Sequence, residues 1–340
     1  MLSVRWCIGF VLAFLLPISL FCQGVAIGKT TSNEQTTVKQ PQPFTNQLRN
    51  TIAFLHVYYA VENEPRDREI DGTAFFIAVH DARLPEDADF LYLVTNRHMA
   101  APDSYLGITR RVTHYDVLLN TIQHVEDRSE IQGRTFSLTP ERNGSWIFPE
   151  DKSVDLAVLP VVLDPKSISF QQILISDIAT DEVRETARVA PGYQVVFAGY
   201  FYQFPGAKKI QPIVRQGVLA MTPDDLIPTV IESRKGTVFL VDAHSYHGNS
   251  GSPVFVNLGG LHGNSFAPEA YKLLGVVSGY YPENEDGSLS AATVLTGAVH
   301  DNSGITIVVP GDQLRLLLNS PTLQAMRDKD VEKFLSKQKH

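Results

Sequence analysis

What most constrains this chain is a series of short segments rich in aromatic and β-branched residues, each closed off by Gly, Pro, Asp or Asn. "IAFLHVYYAV" (Ile52–Val61), "GTAFFIAVH" (Gly72–His80) and "DFLYLVTN" (Asp89–Asn96) come first. "YDVLLNTI", "VDLAVLPV", "YQVVFAGYF", "IVRQGVLAM", "GTVFLVDA", "SPVFVNLG", "KLLGVVSGYY" and "ITIVVP" follow. Side chains branched at Cβ suit a pleated surface, and turn residues at the ends stop each strand from running on. About eleven such segments, with few helical patterns between them, argue for a barrel or sandwich rather than an alternating α/β fold. After Pro310, "GDQLRLLLNS" and "LQAMRDKDVEKFL" carry apolar residues at helical spacing. They predict one or two C-terminal helices on an otherwise all-β protein.

The two ends of the chain read differently. Residues 1–26 have the pattern of an export signal: Arg5, an apolar run from Trp6 to Phe21, then the small residues Gly24 and Ala26. The run falls short of the ~20 apolar residues that a spanning helix needs, so no stable membrane span is expected after the signal is removed. Leu20 and Phe21 are bulky where lipoprotein processing before Cys22 would require small residues, which argues against lipidation. The expected location is therefore periplasmic or extracellular. Residues 27–47 are polar without a period and predict a flexible leader, with order starting near Leu48. The only cysteines are Cys7 and Cys22. A mature chain without them has no disulfide, no thiol nucleophile and no thiolate metal site. Losing Arg5 leaves 28 Lys and Arg against 37 acids, a net charge of −9. With no basic run, nucleic acid is not an expected partner.

Three polar residues sit in settings that suit chemistry. In "HSYHGNSGSPVF" (His244–Phe255), Ser250 lies between Gly248 and Gly251. A serine hydroxyl is a weak nucleophile. It needs a base to take its proton and donors to hold the oxyanion that forms. Glycines permit a tight turn and bring backbone N–H groups close to a ligand, so Gly248 and Ser250 are candidate oxyanion donors. Three letters alone are weak, because "GNSF" at Gly263–Phe266 repeats them in what reads as a plain loop. His98, at the end of the strand in "YLVTNRHMAA", is a candidate base, although a lone histidine is more often structural. Asp155 heads the apolar strand "SVDLAVLPV". A carboxylate buried there is costly unless paired, and a histidine ring N–H would pair it. Alone it reads equally well as a turn residue. The order His98, Asp155, Ser250 is that of the chymotrypsin-type triad.

The chain resembles secreted bacterial trypsin-like serine endopeptidases, the group that includes HtrA proteases and glutamyl endopeptidases. The matching pieces are "GTAFFIAV", "YLVTNRHM", "VDLAVLPV", "PGYQVVFAGY", "GNSGSPVF", "LLGVVSGYY" and "SGITIVVPGDQL", in family order from about residue 50 to 315. The resemblance implies two six-stranded antiparallel β-barrels, roughly residues 48–180 and 181–320, with the active site between them and residues 321–340 as a helical tail. It implies His98 as general base, Asp155 as its orienting partner, Ser250 as nucleophile, and Gly248 and Ser250 as oxyanion hole. Ser278 matches the serine that supports the aspartate. With Gly279, Tyr280 and His244 it would also edge the substrate pocket. No cofactor is implied, and the partners would be protein or peptide substrates. Nothing in the sequence indicates the oligomeric state.

Several positions depart from the family pattern. Asn249 stands where animal trypsins carry the aspartate that captures a new N-terminus, so no such zymogen switch is expected. Ser252 replaces a common glycine. Val277 stands where glutamyl endopeptidases carry a pocket histidine, a departure that counts against glutamate specificity, while His244 near the pocket floor could contact an acidic side chain or be a polar lining residue. The segment between base and acid, 113–146, and that at 284–304 read as long loops. His244 and His247, near Asp242, lie on a strand and turn, where three-residue spacing does not place ligands on one face. No metal site is expected there. Two rival functions remain: a catalytically silent binding or sensing module, and an esterase using the same serine. An α/β-hydrolase is disfavoured, because it needs a G-x-S-x-G elbow and the order Ser, Asp, His.

Overall fold

The computed structural model describes residues 43–102, 110–125, 128–139, 145–231, 234–259, 270–283 and 301–338. The expected signal and most of the leader, the "GNSF" loop and most of the late loop lie outside the described residues. The first sheet contains β1 (Ile52–Val61), β2 (Arg68–His80), β3 (Asp89–Thr95), β4 (Arg110–Val125), β5 (Arg128–Leu138), β6 (Ala157–Val161) and the short β7 (Ile173–Leu174). Its order is β5-β4-β1-β2-β3-β6, all antiparallel, with β7 pairing parallel to β2.

The second sheet is a closed six-stranded barrel. It uses β8 (Gln194–Gly199), β9 (Ile213–Met221), β12 (Phe239–Asp242), β13 (Pro253–Asn257), β14 (Tyr271–Glu283) and β15 (Asp301–Pro310), in the order β12-β15-β14-β13-β8-β9. A two-residue ribbon, β10 (Ile227–Pro228) and β11 (Lys235–Gly236), stands apart. The protein is mostly β with helices after β15, and the architecture is chymotrypsin-like. The two halves differ in detail: the second closes with six strands, whereas the first has seven and its main path runs from β5 to β6.

β3 is buried at every position, which explains why it reads as a continuous apolar run rather than an alternating one. Successive side chains point to opposite faces. Leu91 and Leu93 pack with Leu55, Val57, Ala74, Phe76 and Leu159 in the core of the first sheet. Phe90, Tyr92 and Val94 pack on the other side with Phe54, Phe75 and Ile77 from their own sheet. That second core also takes Phe255, Leu273 and Val309 from the barrel, and Leu314, Leu317, Leu323 and Val331 from the C-terminal helices. One strand thus joins three layers.

Five α-helices are described: α1 (Phe44–Asn50), the single turn α2 (Arg97–Ala100), α3 (Asp181–Thr186), α4 (Gly311–Leu318) and α5 (Pro321–Gln338). α1 starts at Phe44, ahead of Leu48. The cause is one aromatic ring: Phe44 stacks on Tyr271 at 4.0 Å and meets Phe255 edge-on at 5.1 Å, contacts that no local polar pattern announces. The segment from 321 is the helix α5. Arg327 is buried on α5 and donates to the Tyr92 hydroxyl (3.0 Å) and the Leu318 carbonyl (2.8 Å), which ties the helix to β3 and to the end of α4. The expected loop between base and acid is largely the β4–β5 hairpin, paired from Tyr115↔Leu138 to Val125↔Arg128. Most of β5 is exposed, so backbone pairing rather than an apolar face defines it. Among the described residues, no helix is long and apolar enough to cross a membrane.

Candidate active site

His98 lies on α2, just past the end of β3. Its neighbours hold the acid loop: Asn96 Nδ2 donates to the Asp155 carbonyl (2.9 Å), and the Arg97 guanidinium donates to the Pro149 carbonyl (2.6 Å) and the Val154 carbonyl (3.3 Å). The residues on either side of the histidine therefore fix where Asp155 sits, two residues before β6. The Asp155 carboxylate is 1% exposed. It receives the His98 backbone N–H on Oδ1 (3.0 Å) and His98 Nδ1 on Oδ2 (2.8 Å), and the Ser278 hydroxyl also donates to Oδ2. Burial alone would raise the pKa of this carboxyl. The charge and ring N–H of His98, the Ser278 hydroxyl and the His98 backbone N–H outweigh burial and hold it below the usual value. A carboxylate that accepts from Nδ1 selects the tautomer in which Nε2 is the acceptor.

That Nε2 is buried and has no hydrogen-bond partner. Ser250 Oγ donates instead to the Ser278 carbonyl at 3.2 Å. Ser278 therefore touches both ends of the set, with its hydroxyl on Asp155 and its carbonyl on Ser250. The four residues His98, Asp155, Ser278 and Ser250 form one hydrogen-bonded group in which the Ser250–His98 bond is not made.

The turn carrying Ser250 is built from constrained peptide planes. Gly248 and Gly251 have φ of 91° and 88°, the left-handed region that disfavours any side chain. Space forbids one as well. A Cβ on Gly251 would lie 1.9 Å from the Thr73 carbonyl oxygen, and one on Gly248 would lie 2.4 Å from the Tyr200 ring. Asn249 spans the turn: Nδ2 donates to the Tyr200 carbonyl (2.9 Å), and Oδ1 accepts from the Tyr246 N–H (2.9 Å). The side chain at this departure from the trypsin pattern thus holds the turn with two neutral hydrogen bonds. Among the described residues, the N–H groups of Gly248 and Ser250 are used in no hydrogen bond.

Of the predicted pocket residues, Ser278 belongs to the hydrogen-bonded group of His98, Asp155 and Ser250. His244 is exposed, stacks on Tyr246 (6.3 Å) and lies against Gly304, where an added Cβ would be 3.3 Å from its Cε1. Gly279 and Tyr280 pair with Ile307 and Thr306, and Thr306 donates to the Ala243 carbonyl at 2.6 Å. The backbones at 243–244, 304–306 and 279–280 are therefore neighbours. Arg215, which the sequence did not single out, lies over the Tyr246 ring at 4.5 Å. The sequence also gave no sign of Thr73 and Tyr200 behind the serine turn. Three possible metal-binding groups, His56, Glu69 and Asp71, approach within 4.8 Å of one another on β1 and β2. Their mutual hydrogen bonds (2.6 Å from His56 Nδ1 to Asp71, 3.0 Å to Glu69) account for the grouping without an ion.

The fold and the grouping of these residues define the class of a chymotrypsin-like peptidase domain. Residues 72–263, more than half of the chain, match the family model of the trypsin-like peptidase domain, and the chain belongs to that family. No curated protein matches the chain. Similar solved structures include the protease domain of MamO from Magnetospirillum magneticum in its apo form, at 13% identity and TM-score 0.42, covering 81% of this chain and 100% of that one. Another is Rv3671c from M. tuberculosis, an inactive serine-to-alanine mutant, at 15% identity and TM-score 0.41, covering 83% and 96%.

Proposed function

We propose that this protein is an exported serine endopeptidase that cleaves peptide bonds through an acyl-enzyme on Ser250. The observation that carries the reading is the bonded group running from Ser250 through Ser278 and Asp155 to His98, with the buried side-chain nitrogen His98 Nε2 left without a partner. Substrate binding would draw Ser250 Oγ off the Ser278 carbonyl and turn it to Nε2. His98 then takes the hydroxyl proton as Oγ attacks the scissile carbonyl carbon. Asp155 stabilises the imidazolium that results. The N–H groups of Gly248 and Ser250 hold the oxyanion, each worth about 3 kcal/mol in the transition state. His98 returns the proton to the leaving amine, the C–N bond breaks, and an ester on Ser250 remains. His98 next deprotonates a water molecule, which attacks the ester carbonyl; the bond to Ser250 Oγ breaks, His98 returns the proton to that oxygen, and the acid is released.

A serine-directed fluorophosphonate tests this. It should label wild type and leave Ser250→Ala unlabelled, and a peptide library should then give the cleavage preference. Export is tested separately by fractionation and by the mass of the mature N-terminus, expected near residue 27. One observation favours a second reading, a silent binding module: Ser250 is bonded to Ser278 and not to His98. Folded wild type that resists the probe would end the protease reading and support that module.

A further inference from the structure

A turn can hold an oxyanion only if its peptide planes stay fixed while charge develops, and each plane is rigid in itself. The planes around Ser250 are clamped to different degrees. In the 248–249 plane, the Gly248 carbonyl accepts from the Thr73 hydroxyl (2.6 Å) and the Asn249 N–H donates to the Tyr246 carbonyl (2.9 Å). In the 250–251 plane, the Ser250 carbonyl accepts from the Thr73 N–H (2.8 Å) and the Gly251 N–H donates to the Val277 carbonyl (2.8 Å). Both planes are held at both ends, and Thr73 supplies one end of each. Between them lies the 249–250 plane, whose carbonyl accepts from the Ser252 N–H (3.0 Å) and whose N–H belongs to Ser250. That N–H and the one on Gly248 are the two left unused.

Thr73 belongs to β2 of the first sheet and is fully buried. Its hydroxyl also accepts from the Tyr200 N–H (2.9 Å), and its carbonyl accepts from the Thr95 hydroxyl (2.8 Å) one strand away. The turn of the second barrel is therefore held by a residue of the first sheet that is itself anchored to β3, the strand that leads into His98. We propose that Thr73 is the positioning residue of the oxyanion turn: its hydroxyl holds the Gly248 carbonyl so that the Gly248 and Ser250 N–H groups stay directed at one point. This rests on the protease reading above. Valine matches threonine in shape but cannot donate, so it would leave the Gly248 carbonyl and the Tyr200 N–H buried without partners. The 248–249 plane, which links the peptide carrying the Gly248 N–H to the one carrying the Ser250 N–H, would then keep only its Asn249 N–H bond, and the loss should approach that of one oxyanion donor.

The test is the second-order rate of fluorophosphonate labelling of Ser250 in wild type, Thr73→Val, Thr73→Ala and Thr73→Ser, corrected for folded fraction by circular dichroism. The expected result is a drop of about 100-fold in the valine and alanine variants, rescue to within about threefold by serine, and an unchanged pH midpoint, because His98 and Asp155 are not touched. For any peptide that wild type cleaves, the drop should fall on kcat and leave KM nearly unchanged. Folded valine or alanine variants that label at the wild-type rate overturn the proposal. So do a serine variant as slow as valine, a shifted pH midpoint, or failure of both hydroxyl-free variants to fold, which would make Thr73 a purely structural residue. A wild type that does not label refutes the protease reading itself and is a separate outcome.

Discussion

In the first sheet, the proposed base and acid sit at the ends of strands packed on both faces: His98 directly after β3, and Asp155 just before its partner β6. In the second barrel, the proposed nucleophile and oxyanion donors sit on a turn with little apolar packing, fixed by one hydrogen bond after another and by two glycines in the left-handed region. Packing is non-directional, so a strand end surrounded by core needs few specific bonds to keep its place. A turn has no such support, and its geometry depends on each donor and acceptor individually. Substitutions should therefore separate the two regions: chemistry lost without the fold in one, fold and chemistry lost together in the other.

The largest effect expected is on chemistry in the first sheet. Asp155→Asn should lower fluorophosphonate labelling by about 10⁴-fold with the fold retained, because an amide can present N–H to Nδ1 and trap the wrong tautomer. Labelling at the wild-type rate would break the comparison at its root. Next comes the turn. Gly251→Ala should cost at least about 4 kcal/mol in urea unfolding, since its Cβ would lie 1.9 Å from the Thr73 carbonyl oxygen at a φ of 88°. Gly192→Ala sharpens the point. There φ is 98° but nothing lies within 4 Å, so only the backbone strain of about 1–2 kcal/mol should appear. If the two cost the same, steric closeness of the turn is not what holds it.

Smaller is the cover of the first sheet. Arg327→Ala leaves the Tyr92 hydroxyl and the Leu318 carbonyl without a buried donor. It should cost about 2–3 kcal/mol in thermal or urea unfolding, while labelling per folded molecule stays unchanged. Lost activity per folded molecule would mean that the C-terminal helix reaches the site.

The smallest effects are two pH slopes of opposite sign. Asp155 is held below its ordinary value of about 3.8, so its contribution to stability is present above that value and disappears as pH falls through the lowered folded value. Burial opposes the charge on His56, but Asp71 and Glu69 outweigh it and raise its pKa above about 6.5. Its contribution is complete below 6.5 and disappears as pH rises through the raised folded value. Urea midpoints from pH 2 to 9 should lose the acid slope in Asp155→Asn and the upper slope in His56→Gln. An upper slope that survives His56→Gln would assign it elsewhere.

Much of this was legible in the chain. The strand candidates all fall in sheets, because β-branched and aromatic runs between turn residues have few other ways to bury themselves. His98, Asp155 and Ser250 stood out because each follows or precedes an apolar strand, and the structure brings all three into one bonded group with Ser278. Phe44, Arg327 and the β4–β5 hairpin were not legible, because a single ring, a buried guanidinium and a backbone ladder leave no periodic mark. Thr73 lies within a legible strand, but nothing in that segment shows that its hydroxyl faces a turn 175 residues later.

By itself, the sequence determined that the chain is mostly β with C-terminal helices, and which serine, histidine and aspartate were worth matching. Those conclusions rest on short-range patterns: period, turn chemistry and the flanks of polar residues. Only the tertiary structure decided that the first sheet has seven strands and the second closes with six. It also decided that Ser250 rests on the Ser278 carbonyl, and that a threonine of one half bonds the Ser250 turn of the other. Hydrogen bonds between distant segments depend on where strands meet in space, and no local pattern encodes that meeting.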